Sequence, residues 1–294
     1  MNVKKAVFPV AGFGTRFLPA TKAIPKEMLP IVDMPLIQYA VNEAVDAGIT
    51  DLIFVTNNNK REIEDHFGSN LELEKNLIQR GKHELLDVVQ HTLPEGISCA
   101  FILQKTPLGL GHAVLCAKQF VGDEPFAVLL ADDLIDGKGK SCLQQMMDVF
   151  RECQLSVVAV QKVLLADTPN YGVIDVLPGE DRIAKIQGII EKPTPANAPS
   201  DLAIVGRYIL VPRIFELLER TVAGAGGEIQ LTDAIAKLLL EQSVYSLQFQ
   251  GKRYDCGNKL GYLEATIAFA LKHPELSHDF KKLLLDFVEC TDCV

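Results

Sequence analysis

Two hydrophobic periods take turns along this chain, and their alternation sets the expected elements. Short apolar runs bounded by turn residues read as buried strands: "KKAVFPV", "DLIFVT", "SCAFILQ", "FAVLLA", "LSVVAVQKV" and "DLAIVGRYILV". Between them apolar residues return at helical spacing, as at Leu36, Ile37, Ala40, Val41, Ala44 and Val45, with Gly48 placed to cap the helix end. The same spacing predicts helices at about residues 109–120, 141–153, 212–221, 229–242 and 258–272. The charged run at residues 60–89 is predicted to be an inserted helical hairpin, broken at Gly68 and Gly81. Strands alternating with helices predict an α/β fold, a Rossmann-like, mostly parallel mixed sheet flanked by helices. The Pro-rich stretch "EKPTPANAPS" reads as a surface loop, because strand-like sequence resumes at once. Residues 1–294 are therefore expected to form one domain, ending in a helical arm at residues 258–294.

Composition narrows the class. Hydrophobic residues make up 48% and charged residues 23% of the chain, an ordinary globular balance. A net charge of -9 argues against a general nucleic-acid or membrane-surface binder, which needs a basic surface, so an anionic ligand must be met by a local cluster of cations. The opening "MNVKKAVFPV" lacks a cleavage site, and no apolar run approaches the roughly 20 residues that span a bilayer, so a cytoplasmic protein is expected. Seven cysteines without paired spacing fit reduced thiols. Cys290 and Cys293 form a CxxC with no second pair or histidine partner, and read as part of a tail and not as a zinc site.

In open α/β sheets ligands sit beyond the carboxyl ends of the strands. The first strand runs into Gly12-Phe13-Gly14-Thr15-Arg16, where glycines free backbone N–H groups to face an anion. A dinucleotide fingerprint would need a third glycine and an acidic residue at the end of the second strand; Asp33 has the distance but precedes the first predicted helix. The G-x-x-x-x-G-K-[ST] phosphate loop is absent. Pro19, Pro25 and Pro30 are expected to keep the segment extended, presenting Arg16, Lys22 and Lys26 in succession along a polyphosphate. Elsewhere "LLADDLIDG" ends a buried strand in Asp132 and Asp133, and Asp255 follows a short strand; carboxylates at such positions suit Mg²⁺, which prefers one or two of them plus phosphate oxygens. In "QKTPLGLGHAV", small residues leave room for a flat base against the backbone, and Gln104 offers an amide donor and acceptor to a pyrimidine edge. "IIEKPTP" brings Glu191 and Lys192 to a strand end, and "GGEIQLTDAI" places Glu228 and Thr232 in a helix-start arrangement, read first as structural.

The stretch "AGFGTRFLPATKAIPKEMLPI" resembles the signature of the sugar-phosphate nucleotidyltransferases. The resemblance continues with gaps through "PLGLGHAV", "YGVI", "EKP", "VGRYIL", "GEIQLTDAI" and "YDCGNKLGY". It implies the nucleotide-diphospho-sugar transferase type of fold, Mg²⁺ as cofactor and a homodimer or homotetramer. The form "ATKAIPKEML" and the long insertion favour uridine, implying uridylyl transfer from UTP to glucose 1-phosphate. By this resemblance Arg16, Lys26 and Lys192 are catalytic; Ala11, Gly12, Gly14, Thr15, Glu27, Gln104, Gly109, Gly172, Glu191 and Gly206 bind substrate; Asp132 and Asp255 hold the metal. Roles for Lys22, Asp133 and His112 stay open. The attacking phosphate oxygen is already an anion near neutral pH, so the implied reaction needs neither a side-chain general base nor a covalent nucleophile. Two alternatives remain: a relative using another nucleotide or sugar, such as a thymidylyltransferase, and a non-catalytic paralogue that binds sugar nucleotides.

Overall fold

Strand β1 (Lys5–Pro9) is buried on both faces: Ala6 and Phe8 face one hydrophobic layer, Val7 the other. This is the signature of a strand central to a sheet covered by helices on both sides. A computed structural model describes residues 2–177, 181–224 and 227–289, and Cys290 and Cys293 lie outside them. After β1 comes a loop of short 3₁₀ turns and a small ribbon, β2 (Pro30–Ile31) with β3 (Met34–Pro35). Helix α1 (Leu36–Asp46) then leads to β4 (Asp51–Thr56), which lies parallel to β1. Gly48 takes a φ of 91° and its N–H bonds the Val45 carbonyl, ending α1 as its position predicts.

The insertion forms three helices, α2 (Arg61–Phe67), α3 (Leu71–Gln79) and α4 (His83–Gln90), broken at Gly68 and Gly81. Asn70 caps α3, its side chain accepting from the Leu73 N–H. Strand β5 (Ser98–Leu103) adds to the outer edge of β4, and α5 (Leu110–Cys116) with α6 (Lys118–Val121) returns the chain to β6 (Phe126–Leu129), on the other side of β1. Strand order therefore reverses between β1 and β6, and such a switch point opens a crevice at the carboxyl ends of the two strands.

A short strand β7 (Asp133–Gly137) and helix α7 (Cys142–Cys153), the latter started by a Ser141–Gln144 capping box, precede β8 (Val157–Lys162). The remaining sheet strands are β9 (Gly172–Val176), β10 (Ile183–Glu191), β11 (Leu202–Leu210) and, after α8 (Arg213–Glu219) and α9 (Leu231–Leu238), β12 (Tyr245–Gln248). Nine strands run in the order β5-β4-β1-β6-β11-β8-β12-β10-β9. The sheet is mixed as expected, with β11 inserted antiparallel between β6 and β8. Helices α1 and α7 cover one face and α5, α8 and α9 the other; each Val, Leu or Phe buried there contributes about 1.5–3 kcal/mol. Strand β13 (Gly251–Asp255) pairs with β7 outside the main sheet, backed by α10 (Lys259–Ala270), and α11 (Ser277–Glu289) follows. Among the described residues no helix is long and apolar enough to cross a membrane.

Candidate active site

The loop after β1 folds back on itself. Gly14 takes a left-handed φ of 64°, its carbonyl accepts from the Thr21 hydroxyl at 2.8 Å, and three 3₁₀ turns follow, Thr15–Phe17, Ala20–Lys22 and Lys26–Met28. The expected extended track of cations is thus corrected. Proline fixes φ near -65°, a value that 3₁₀ turns share with extended chain, and Pro19 adopts the helical ψ of -9°. A Cβ on Gly14 would stand 3.0 Å from the Lys26 Cβ, so glycine is required for this close return. At Gly12 an added Cβ would meet nothing, so the protein's own packing does not explain that glycine. Gly12, Thr15 and Arg16 are exposed, while Ala11 is buried with its carbonyl held by the Asn57 side chain at 2.7 Å. Lys22 is exposed and lines no part of the cleft described below.

Glu27, expected among the substrate-binding residues, is engaged within the protein. It is 2% exposed, and its carboxylate takes Lys60, itself 6% exposed, at 2.6 Å. Burial pushes the Glu27 carboxyl up and the Lys60 ammonium down, each against the charge of its partner. The pair ties the loop to the start of the insertion. A charged residue inside a proline-rich loop gives no sequence sign of facing inward.

Asp132 and Asp255, distant in sequence, meet because β7 pairs with β13 in a register that sets Asp133 opposite Asp255 and lets the Cys256 N–H bond the Asp132 carbonyl at 2.8 Å. A Cβ built on Gly257 would lie 2.9 Å from Asp255 Oδ1 and 3.1 Å from Asp132 Oδ2, so both carboxylates border one small space. Arg16 reaches its rim, donating to the Gly257 carbonyl at 3.4 Å. Lys26 Nζ lies 2.5 Å from Asp132 Oδ2. Burial alone would lower the Lys26 pKa, but Asp132 and Glu27 outweigh it and raise it; burial alone would raise Asp132, and Lys26 reverses that. Among the described residues no group of three or more His, Cys, Asp or Glu side chains gathers to cage a metal. Two hard carboxylates beside cations fit an ion that takes its other ligands from phosphate and water, as Mg²⁺ does.

Asp133 proves to be internal. Its Oδ2 accepts from the Gly206 N–H at 2.7 Å and its Oδ1 from Arg253, whose guanidinium also lies over the Tyr171 ring. Gly206 sits where the β11–β8 register breaks between Ile204 and Tyr208, and an added Cβ there would come 2.5 Å from Asp133 and 2.6 Å from Leu130. Beneath this turn lies Arg207, 1% exposed, bonded to Glu43 and to the carbonyls of Leu130, Asp133 and Gly206. The guanidinium thus brackets the turn that presents Asp132. Neither Arg207 nor Arg253 stood out in the sequence, although a basic residue inside an apolar strand such as "VGRYIL" signals a buried partner.

A cleft of about 820 Å³ joins these groups to β9 and β10, taking in Arg16, Asp132, Asp255, Glu191 and Lys192. Glu191 pairs across the ladder with Gly172, where a Cβ would strike Thr232 at 2.6 Å and crowd Glu191 at 3.1 Å. Thr232, on the first turn of α9, donates its hydroxyl to Glu191 at 2.7 Å, and so supports the cleft as well as the helix start. Lys192 adopts a left-handed φ of 47°, held by its N–H bond to the Tyr171 carbonyl, with Nζ 3.6 Å from Glu191. A non-glycine residue held in that region is a mark of functional sites. Glu228 lines the same cleft.

On the other side of the opening loop a cavity of about 200 Å³ is lined by Ala11, Phe13, Asn57, Gln104 and Pro107. Gly109, with φ of 96°, packs so closely on Glu228 and Ile229 that a Cβ would come within 2.8 Å. Most of the candidate residues thus lie along the cleft, the smaller cavity or the opening loop, with Glu27 turned inward and Lys22 exposed away from the cleft.

The family model described as Nucleotidyl transferase matches residues 5–271. The UTP–glucose-1-phosphate uridylyltransferase of Bacillus subtilis is 53% identical over 275 residues, 94% of this chain and 94% of its own. Among solved structures, a UTP-bound UGPase from Acinetobacter baumannii superposes with a TM-score of 0.91 at 47% identity, covering 96% of this chain and 99% of its own. A UDP-glucose pyrophosphorylase complexed with UDP-glucose gives 0.83 at 45% identity, covering 92% and 100%.

Proposed function

The chain belongs to the nucleotidyl transferase family, and on that premise we propose that it transfers the uridylyl group of UTP to glucose 1-phosphate, giving UDP-glucose and pyrophosphate. The observation that carries this reading is the meeting of Arg16, Lys26, Asp132 and Asp255 between a cavity fit for a flat base and a cleft fit for a polar sugar. Asp132 and Asp255 would hold Mg²⁺, which when bound would supply charge neutralisation at the phosphates.

Catalysis is positioning and electrostatics. Gln104 and Gly109 hold the uracil beside Ala11. The backbone at Gly12, Gly14 and Thr15 lies along the triphosphate, with Arg16 on the leaving pyrophosphate and Lys26 on the α-phosphate. Glu191 accepts from sugar hydroxyls, Gly172 and Gly206 let the sugar approach, and Lys192 holds the sugar phosphate. The sugar-phosphate oxygen displaces pyrophosphate directly, in line. The chain works as one domain, because a single sheet draws strands from Lys5 to Gln248. It acts in the cytoplasm as a homo-oligomer, for which the exposed Leu260 and Leu263 of α10 and Leu285 and Phe287 of α11 offer apolar surface.

Pyrophosphate release measured with Mg²⁺ over a panel of nucleoside triphosphates and sugar 1-phosphates tests the reading. UTP with glucose 1-phosphate is expected to be the fastest pair. Preference for dTTP would overturn the choice of base, and release from no pair would overturn the enzymatic reading in favour of a sugar-nucleotide-binding protein.

A further inference from the structure

Gln104 directly follows β5, 4% exposed, with its amide nitrogen 3.4 Å from the Gly109 carbonyl oxygen and 2.8 Å from His112 Nδ1. A carbonyl oxygen only accepts, so the group facing it must be the NH₂ and not Oε1. The second N–H of that NH₂ then points at His112, whose Nδ1 accepts it and whose ring proton is on Nε2. Both amide donors are used within the protein. Oε1 is what remains, and because no buried side-chain oxygen among the described residues lacks a partner, it is open to the cavity that Gln104 lines.

We propose that His112 is a positioning residue for base selection: by accepting from Gln104 it fixes the amide so that only an acceptor meets the nucleobase. The inference rests on the proposed function, which places the base in this cavity. A pyrimidine-2,4-dione such as uracil carries a ring N–H that can donate to Oε1. Cytosine has a bare ring nitrogen at the same position, so two lone pairs would confront each other. A rotated amide would remove the conflict, but rotation would turn Oε1 toward the Gly109 oxygen and His112 Nδ1. Gly109 supplies one wall of this trap through its backbone, and His112 supplies the side chain that closes it. His112 touches no reacting atom in this account.

The experiment compares wild type with His112→Phe, a ring of similar shape without a nitrogen, and His112→Asn, whose side-chain oxygen can replace Nδ1 as acceptor. Dissociation constants for UTP and CTP are measured by calorimetry, and kcat/KM for both with glucose 1-phosphate by pyrophosphate release. Wild type is expected to favour UTP by about 10³-fold or more. His112→Phe is expected to lower that ratio at least about tenfold, mainly by admitting CTP, while His112→Asn keeps it. A His112→Phe ratio within twofold of wild type in both measurements overturns the proposal; His112→Leu takes its place if the Phe variant does not fold. The binding ratio separates the two failures. A wild type that releases no pyrophosphate defeats the proposed function, whereas an unchanged UTP-to-CTP binding ratio defeats the role of His112.

Discussion

Lys26→Ala is expected to fold and bind nucleotide, yet to lose about 10²–10³-fold in turnover, the scale on which one preorganised charge stabilises a transition state. The ammonium lies in the partly open mouth of the site, 23% exposed, so its removal creates no large buried void. What disappears is the cation next to Asp132 and, in the proposed reaction, on the α-phosphate. Removing it also leaves Asp132 beside Asp255 with less compensating charge, which adds electrostatic repulsion at the place where phosphates must bind. Pyrophosphate release under saturating UTP, alongside a thermal melt, gives the test. Turnover within about threefold of wild type would sink the assignment, since a peripheral contact loses that little.

Arg207→Leu is expected to be the most damaging single change to stability, by about 3–5 kcal/mol in urea or guanidinium unfolding. The reason is what it leaves behind. Glu43 is 7% exposed, and its Oε2 would lose two guanidinium bonds at 3.0 and 2.8 Å. The carbonyls of Leu130 and Asp133 would lose a charged donor as well. Burial works against the charge on Arg207, and Glu43 more than restores it, holding the guanidinium pKa above its ordinary value. A buried pair can often be replaced whole at little cost, so Glu43→Leu combined with Arg207→Leu is expected to recover much of the stability. Turnover should not recover with it, because the turn presenting Asp132 is no longer bracketed. A single variant that loses less than about 1 kcal/mol would show that the network is not structural in this sense.

Local patterns were legible where they arise from neighbouring residues. The apolar run at residues 126–131 marks a buried strand whatever lies beside it, and Gly48 ends α1 because a left-handed residue closes a helix locally. The break at Gly81, with a φ of 66°, follows the same logic, whereas Gly68 ends α2 in an extended conformation. Proline misled at the opening loop: its φ is fixed but its ψ is free, and the bond from Thr21 to the Gly14 carbonyl decides for a compact turn. The inward pairing of Glu27 with Lys60 was not legible, because the two residues are remote in sequence and both hydrophilic.

Sequence alone carried the alternation of strands and helices, the glycine and cation chemistry after β1, and the resemblance that named a reaction, since each resides in residue type and short spacing. Both adjacent aspartates border the cleft, and tertiary structure decided how their carboxylates are engaged: Asp133 is taken up by Gly206 and Arg253, while Asp132 meets Lys26. It also assigned Arg207 to the underside of the Asp132 turn, and set His112 against Gln104 where an amide has to choose its face. These are pairwise and directional facts. A hydrogen bond depends on which atoms meet and at what angle, and no one-dimensional pattern of residue types contains that information.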